Sequence, residues 1–212
     1  MKALLLKEWL VIWKQGKFMI LLALVYSIIA VTGSGSFFAG FSVIFMSMLP
    51  ITVMGLDERS KWDHYAVTMP YSRKDIVLSK YAFSTLCAFT AIIVYVIATI
   101  IKLLVVKHPF DFSGLINQAI LMLSIGLFFS SVNLPIMFKF GVDKGRMWFI
   151  LITVIIAGGI SSLFTFIGAE SAQTQIESLI QRQTPFMLFV ISAGLLLLSA
   201  LLSIKIYEKR EL

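Results

Sequence analysis

The sequence predicts an all-α integral membrane protein with six transmembrane helices and both termini in the cytoplasm. Apolar residues make up 59% of the 212-residue chain and charged residues only 14%, against roughly 45–50% and about 25% in soluble domains. This composition excludes an ordinary soluble domain and a disordered chain. Long uncharged tracts and an uneven distribution of lysine and arginine are the other two observations that predict a membrane fold.

The N-terminal segment, residues 1–17, has the pattern of an amphipathic helix that lies in the membrane interface. Its predicted apolar face holds Leu5, Trp9, Ile12 and Trp13, and its predicted polar face holds Lys7, Glu8, Lys14 and Gln15. Tryptophan and lysine together are typical of the cytoplasmic membrane surface. Two roles stay open for this helix: a simple anchor, or a mechanical link between the cytosol and the first span.

The first uncharged tract is too long for one span. It runs over 39 residues from Phe18 to Leu56, which as one helix would be nearly 60 Å long at about 1.5 Å per residue, whereas a bilayer core is about 30 Å thick. Gly33–Ser36 divides the tract with poor helix formers suited to a tight turn. We therefore predict a hairpin of span 1, Phe18–Thr32, and span 2, Phe37–Leu56.

The connection between spans 2 and 3, residues 57–80, is the longest predicted cytoplasmic loop. Within it, Glu58–Met69 predicts a short helix with Trp62, Tyr65 and Met69 on one face and charges on most of the rest. Such a helix either rests on the membrane or docks in the groove of a soluble partner. The candidate docking residues are Glu58, Arg59, Lys61, Trp62, Asp63, His64 and Tyr65.

A second helix is predicted to begin before span 3. Pro70 ends the loop helix, and Ser72-Arg73-Lys74-Asp75 resembles a capping box in which Asp75 replaces the usual Glu or Gln. The helix that starts there continues into span 3 and extends from about Asp75 to Val106. We assign Pro70, Ser72, Arg73, Lys74 and Asp75 to the base of span 3.

Four later tracts predict spans 3 to 6. They are Tyr81–Val106, Leu115–Phe138, Met147–Ala169 and Pro185–Ile204. Only the first contains a charge, Lys102. We expect Lys102 to snorkel to the nearby outer surface, and the alternative is a functional charge inside the membrane.

The basic residues predict the orientation. With the N-terminus in the cytoplasm, 15 of the 18 lysines and arginines lie on the inner side, and Lys102, Lys107 and Arg182 are outside. Inner loops carry this excess in most membrane proteins. The net charge of +7 therefore reflects topology and anionic lipid headgroups, and nucleic acid is not an expected partner.

Two features near the spans leave packing and gating both open. In the outer loop, residues 169–184, the spacing of Ile176, Leu179 and Ile180 predicts a short helix that either packs or acts as a lid. Span 4 contains Pro135, which frees a backbone carbonyl. For Pro135 we favour packing within the bundle.

The sequence has no catalytic motif that we can identify. It lacks the Gly-x-x-x-x-Gly-Lys-Ser/Thr phosphate loop, a clustered set of metal ligands and a pair of intramembrane carboxylates. Cys87 is the single cysteine, so no internal disulfide forms. We predict that the chain is not an enzyme by itself, has no catalytic residue and no metal site, and takes energy for any transport from outside the bilayer.

The stretch from Met69 to Tyr81, Met-Pro-Tyr-Ser-Arg-Lys-Asp-Ile-Val-Leu-Ser-Lys-Tyr, resembles the segment before span 3 in small Gram-positive ABC-2-type permease subunits. The size and layout of the chain look most like the permeases of phenol-soluble-modulin exporters. This resemblance implies that residues 1–212 form one ABC-2-type transmembrane domain in a bacterial plasma membrane.

The resemblance also implies partners and a function. Two permease copies, identical or different, would pair in the membrane, and a coupling helix at Glu58–Thr68 would dock on a separate ABC ATPase subunit. ATP and Mg²⁺ would bind to that ATPase, with no cofactor on this chain. Re-entrant helices of the family would match residues 171–183. The expected activity is export of amphipathic peptides or hydrophobic drugs; the alternative is a non-transporting immunity or sensor protein that binds a peptide or a kinase.

Overall fold

The computed structural model describes residues 2–32, 36–68, 71–106, 112–145, 147–148, 151 and 184–209. Throughout these residues the chain forms α-helices and turns, with no strand, so the all-α prediction is confirmed. In chain order the helices are α1 Lys2–Gln15, α2 Lys17–Thr32, α3 Ser36–Ser47, α4 Leu49–Arg59, α5 Trp62–Thr68, α6 Arg73–Val106, α7 Phe112–Phe140 and α8 Thr184–Glu208. Residues 142–145 add one further helical turn.

Four stretches are long and apolar enough to cross a membrane: Gly40–Arg59, Arg73–Leu103, Phe112–Phe140 and Pro185–Glu208. They correspond to predicted spans 2, 3, 4 and 6. A fifth span is present if the bent pair α1 and α2 is counted as one. Most of predicted span 5 and of the outer loop at 169–184, together with the turn at 33–35, lies outside the described residues. The total of six spans therefore stays a prediction.

A sharp bend separates α1 from α2. The two helix axes differ in direction by 79°, and the interfacial position of α1 stays a prediction. Gly16 lies at the bend, where an added Cβ would lie 2.9 Å from the Cγ2 atom of Ile12 and 3.0 Å from its carbonyl oxygen. Only glycine fits this close approach without displacement of Ile12.

Serine hydroxyls connect neighbouring helices in the bundle. The Tyr81 hydroxyl of α6 is 2.7 Å from the hydroxyls of both Ser199 and Ser203 in α8. The Ser84 hydroxyl of α6 is 2.6 Å from that of Ser130 in α7. Small hydroxyl side chains allow close helix approach and satisfy one another where water is absent. These contacts fix α6, α7 and α8 as one packed unit.

Pro135 has a structural partner in α8. Proline lacks the backbone N–H that would bond to the carbonyl four residues earlier, that of Ser131. The Ser199 hydroxyl donates a hydrogen bond to this Ser131 oxygen at 2.6 Å. Because α8 satisfies the freed carbonyl, α7 continues as a helix through Pro135. The contact supports the packing interpretation of this proline.

Candidate functional site

One end of the bundle brings α5 together with the ends of several other helices. Here the end of α4, the start of α6 and the last turns of α7 and α8 converge, and α1 lies against α4 and α6. We call this region the charged end because it contains all of the ion pairs found between described residues. It includes every described residue of the predicted loop at 57–80.

The loop helix begins later than predicted. The sequence indicated a helix from Glu58, but α4 extends to Arg59, and α5 starts at Trp62. Ser60 and Lys61 form the turn between them, where Lys61 has a φ of +52° and its N–H donates to the Glu58 carbonyl at 3.1 Å. The apolar tract ends at Leu56, but α4 continues for three more residues. Glu58 and Arg59 therefore belong to the helix of span 2 and not to the loop helix.

The two predicted aromatic anchors of α5 point in different directions. Trp62 packs against the buried core of the charged end, and the Lys7 Nζ atom lies 4.4 Å from the centre of its ring. Tyr65 is 63% exposed. Asp63 and His64 belong to α5, but their side chains lie outside the described set. Of the two aromatic residues, Tyr65 is the more exposed, and Trp62 is partly buried.

Glu58 joins α4 to the turn after α7. Its Oε2 atom accepts a hydrogen bond from the Val142 backbone N–H at 2.6 Å, at the start of the helical turn 142–145. Gly141 allows the carboxylate to approach, since a Cβ there would lie 2.6 Å from Glu58 Oε1. Gly141 also has a φ of +78°, in the left-handed region that side chains other than glycine disfavour.

We predict that Gly141→Ala destabilises the protein by about 1–3 kcal/mol through backbone strain and collision with Glu58. The thermal unfolding midpoint in detergent measures this loss. The matched control is Gly194→Ala in the middle of α8, where a Cβ meets nothing within 4 Å and alanine is the better helix former. Equal midpoints for the two variants would contradict the proposed contact.

The base of α6 has the predicted capping box. The Asp75 N–H donates to the Ser72 hydroxyl oxygen at 3.1 Å, and the Ser72 N–H donates to the Asp75 carboxylate at 3.2 Å. The Ser72 hydroxyl adds a 2.7 Å bond to the same carboxylate. These reciprocal bonds satisfy N–H groups that a helix start leaves unpaired, so the box is confirmed. Pro70 lies outside the described residues.

Arg73 and Lys74 connect the base of α6 to the end of α8. The Arg73 Nη1 atom donates to the carbonyl oxygens of Tyr207 and Glu208 at 3.2 and 2.9 Å. Lys74 lies 3.9 Å from the Glu208 carboxylate on the exposed surface. The last carbonyls of a helix have no partner within it, and the guanidinium supplies one. Local sequence patterns do not predict this contact, because 134 residues separate Arg73 from Tyr207.

A buried group of four charges ties α1 to α4 and α6. The Lys80 Nζ atom lies 2.6 Å from Glu8 Oε1 and 2.5 Å from Asp57 Oδ2. The Lys7 Nζ atom lies 2.5 Å from Asp57 Oδ1 and 3.5 Å from Glu8 Oε1. Glu8, Lys80 and Asp57 are only 1%, 4% and 7% exposed. We call Lys7, Glu8, Asp57 and Lys80 the charge cluster.

The charge cluster corrects the predicted faces of α1. Glu8 was assigned to a polar, solvent-facing side, but it lies on the buried stripe with Leu4 and Ile12. A buried carboxylate needs an opposite charge, and Lys80 provides it from another helix, which a helical pattern alone cannot show. Leu4, Glu8 and Ile12 are spaced four residues apart, so they lie on one face of the helix. A single charge within this apolar stripe was the signal in the sequence that Glu8 is buried.

The outward side of α1 holds the two predicted interfacial tryptophans. Trp9 and Trp13 are 55% and 63% exposed, and their rings stack with centroids 6.5 Å apart. Their interfacial role stays a prediction.

No group of three metal-ligating side chains occurs among the described residues. Both carboxylates of the charge cluster are paired with lysines.

The sequence model for ABC-2 family transporter proteins matches residues 3–208, which is nearly the whole chain. The chain belongs to the ABC-2 transporter family. An ABC-2 permease is the membrane-embedded subunit of an ABC transporter and works with an ABC ATPase subunit, so this chain is a multi-pass membrane protein of that kind. No curated protein matches the chain at a significant level.

Proposed function

We propose that this ABC-2 permease is one half of an exporter whose ATPase docks on α5. The observation that supports this best is that the two aromatic side chains of α5 have different surroundings. Trp62 fixes the inner side of the helix to the bundle, while Tyr65 projects outward. A helix held on one side and open on the other is suited to a partner groove, where a rigid aromatic side chain serves as the anchor.

The charged end then faces the cytoplasm, where ATP is available. The distribution of 15 of 18 basic residues on that side supports the orientation. Both chain termini lie on the same side in this topology. ATP and Mg²⁺ bind to the separate ATPase subunit, and the plasma membrane of a bacterium is the proposed location.

Movement of α5 reaches the spans through a continuous set of contacts. Trp62 meets Lys7 of α1, and Lys7 meets Asp57, which in turn binds Lys80 of α6. From the base of α6, Arg73 holds the end of α8. We propose that a displacement of α5 by the ATPase moves α1, α6 and α8 together. This gives α1 the mechanical role rather than that of a simple anchor.

A second permease copy, identical or different, completes the proposed pathway, as the family resemblance implies. The spans themselves form this pathway, because the predicted outer loops are too short for a large extracellular domain. The proposed cargo is an amphipathic peptide or a hydrophobic drug, as in the phenol-soluble-modulin exporters that the chain resembles. Two observations support an apolar cargo. Lys102 is the one charge between Tyr81 and Val106, and the hydroxyls of Ser84, Ser199 and Ser203 form hydrogen bonds with neighbouring helices.

Transport into inside-out membrane vesicles tests this proposal. We expect vesicles that contain the permease and its ATPase to take up a fluorescent amphipathic helical peptide when Mg-ATP is added. A uniformly polar peptide of equal length is the control and should stay outside. If cells with a hydrolysis-deficient ATPase keep full resistance to the peptide, the chain has the alternative role of an immunity or sensor protein.

A further inference from the structure

A groove of about 580 Å³ lies between α1 and the junction of α4 with α5. One wall consists of Lys7, Val11 and Gln15 of α1, which are four residues apart and therefore share one face of the helix. The other wall runs from the last turn of α4 to the first residue of α5 and includes Leu56 and Arg59. The groove thus adjoins α5, the helix on which we propose that the ATPase docks.

The α1 wall of the groove faces away from the two interfacial tryptophans. Helical spacing places Trp9 about 160° and Trp13 about 120° from Lys7 around the axis of α1. Both tryptophans are exposed, and we predict that they contact the membrane surface. On that prediction the groove opens toward the cytosol and not toward lipid, so its occupant is a cytoplasmic molecule.

The groove combines apolar surface with a positive charge that has no partner among the described residues. Val11 and Leu56 are both partly exposed. Lys7 is held by Asp57, whereas no described carboxylate lies within 4.0 Å of the exposed Arg59. An apolar patch beside a guanidinium is complementary to a partner that presents an apolar side chain beside a carboxylate.

We propose that this groove receives an acidic segment of the ABC ATPase. The inference rests on the proposed function, because it takes the ATPase to dock at α5. A carboxylate of the segment pairs with Arg59, and a neighbouring apolar side chain covers Val11 and Leu56. Trp62 lines the groove and begins α5, three residues before Tyr65. A partner that contacts Tyr65 therefore extends into the groove without a break, and the ATPase touches α1 directly as well as α5.

Binding of the purified ATPase subunit to the permease in nanodiscs tests this contact. Arg59→Gln should weaken binding by about tenfold or more, as expected for loss of a hydrogen-bonded charge pair. It should also make the affinity less sensitive to salt, because one ion pair fewer is screened. The thermal unfolding midpoint should stay at its native value, since Arg59 is exposed.

The matched control is Lys144→Gln. It removes one exposed positive charge from the helical turn after α7, which does not line the groove. We expect the affinity for the ATPase and its dependence on salt to stay near native. An equal loss of affinity in Arg59→Gln and Lys144→Gln would indicate attraction by the overall positive charge and would overturn the groove contact.

A zero-length cross-link identifies the partner of Arg59. The variant Arg59→Lys keeps the positive charge and introduces an amine, which a water-soluble carbodiimide joins to a carboxylate in contact with it. We expect mass spectrometry to find a peptide that links residue 59 to an aspartate or glutamate of the ATPase. A link from residue 59 only to carboxylates of the same chain or of a second permease copy, or no link, would refute the proposal.

The results separate this inference from the proposed function. If the ATPase binds the native permease and Tyr65→Ala weakens binding, but Arg59→Gln binds as tightly as the native chain, the groove contact is wrong and docking on α5 stands. If the ATPase does not bind the native permease, docking on α5 and the groove contact are both wrong.

Discussion

Lys80→Met should destabilise the permease by about 3–5 kcal/mol, because loss of one partner from a buried ion pair leaves uncompensated charge. In the native chain Lys80 binds the carboxylates of both Glu8 and Asp57. After its removal only Lys7, the least buried member of the charge cluster, faces them. We expect a lower thermal unfolding midpoint in detergent and release of α1, detected as faster proteolysis near residue 16.

An exposed lysine of the same helix provides the control. Lys74→Met breaks the surface pair with Glu208 and should change stability by less than about 1 kcal/mol. Combining Lys80→Met with Glu8→Gln and Asp57→Asn should restore much of the lost stability, because the buried charge is then removed on both sides. If Lys80→Met and Lys74→Met unfold at the same temperature, the buried cluster does not hold α1 in place.

Tyr65→Ala should release the ATPase without unfolding the permease. A central aromatic anchor contributes about 2 kcal/mol or more to an interface, which corresponds to about a 30-fold loss of affinity. The side chain is exposed in the isolated chain, so its removal leaves the bundle intact. The ATP hydrolysis that co-purifies with the tagged permease measures the effect, and the unfolding midpoint verifies the fold.

Two further variants separate loss of the docking contact from loss of the fold. They are Phe186→Ala and Trp62→Ala. Phe186 is a 66% exposed aromatic residue at the first turn of α8, far along the chain from α5, and its loss should leave the bound ATPase activity unchanged. Trp62→Ala should lower both the unfolding midpoint and the bound activity, since Trp62 packs against the core. If the Tyr65→Ala permease co-purifies with the full ATP hydrolysis activity of its partner, Tyr65 is not part of the interface.

Features that depend on residues close together in the sequence could be predicted. The capping box at Ser72 and Asp75 and the helix into span 3 followed from adjacent residues, and the structure places both within two residues of expectation. The start of α5 was predicted too early, because a span helix continues past its apolar tract when its last turn is solvated. Hydrophobicity marks the membrane boundary and does not mark the helix end.

Contacts between distant residues could not be predicted from one sequence. Glu8 and Lys80 are 72 residues apart, and Glu58 and Val142 are 84 apart. In each pair the charge looked like an ordinary solvated residue of a loop or polar face. The partner of each charge depends on how distant helices pack, which periodicity does not specify. For the same reason periodicity did not show that Trp62 packs partly against the core, and its part in docking stays a prediction.

The most direct test of the account is to ask where ATP hydrolysis resides. The tagged permease is purified with its bound partner, the partner is stripped by a chaotropic wash, and Mg-ATP hydrolysis is measured in both fractions and after they are recombined. We predict that activity leaves with the stripped subunit and returns to the native permease on mixing, but not to Tyr65→Ala. Hydrolysis that stays with the stripped permease would contradict it.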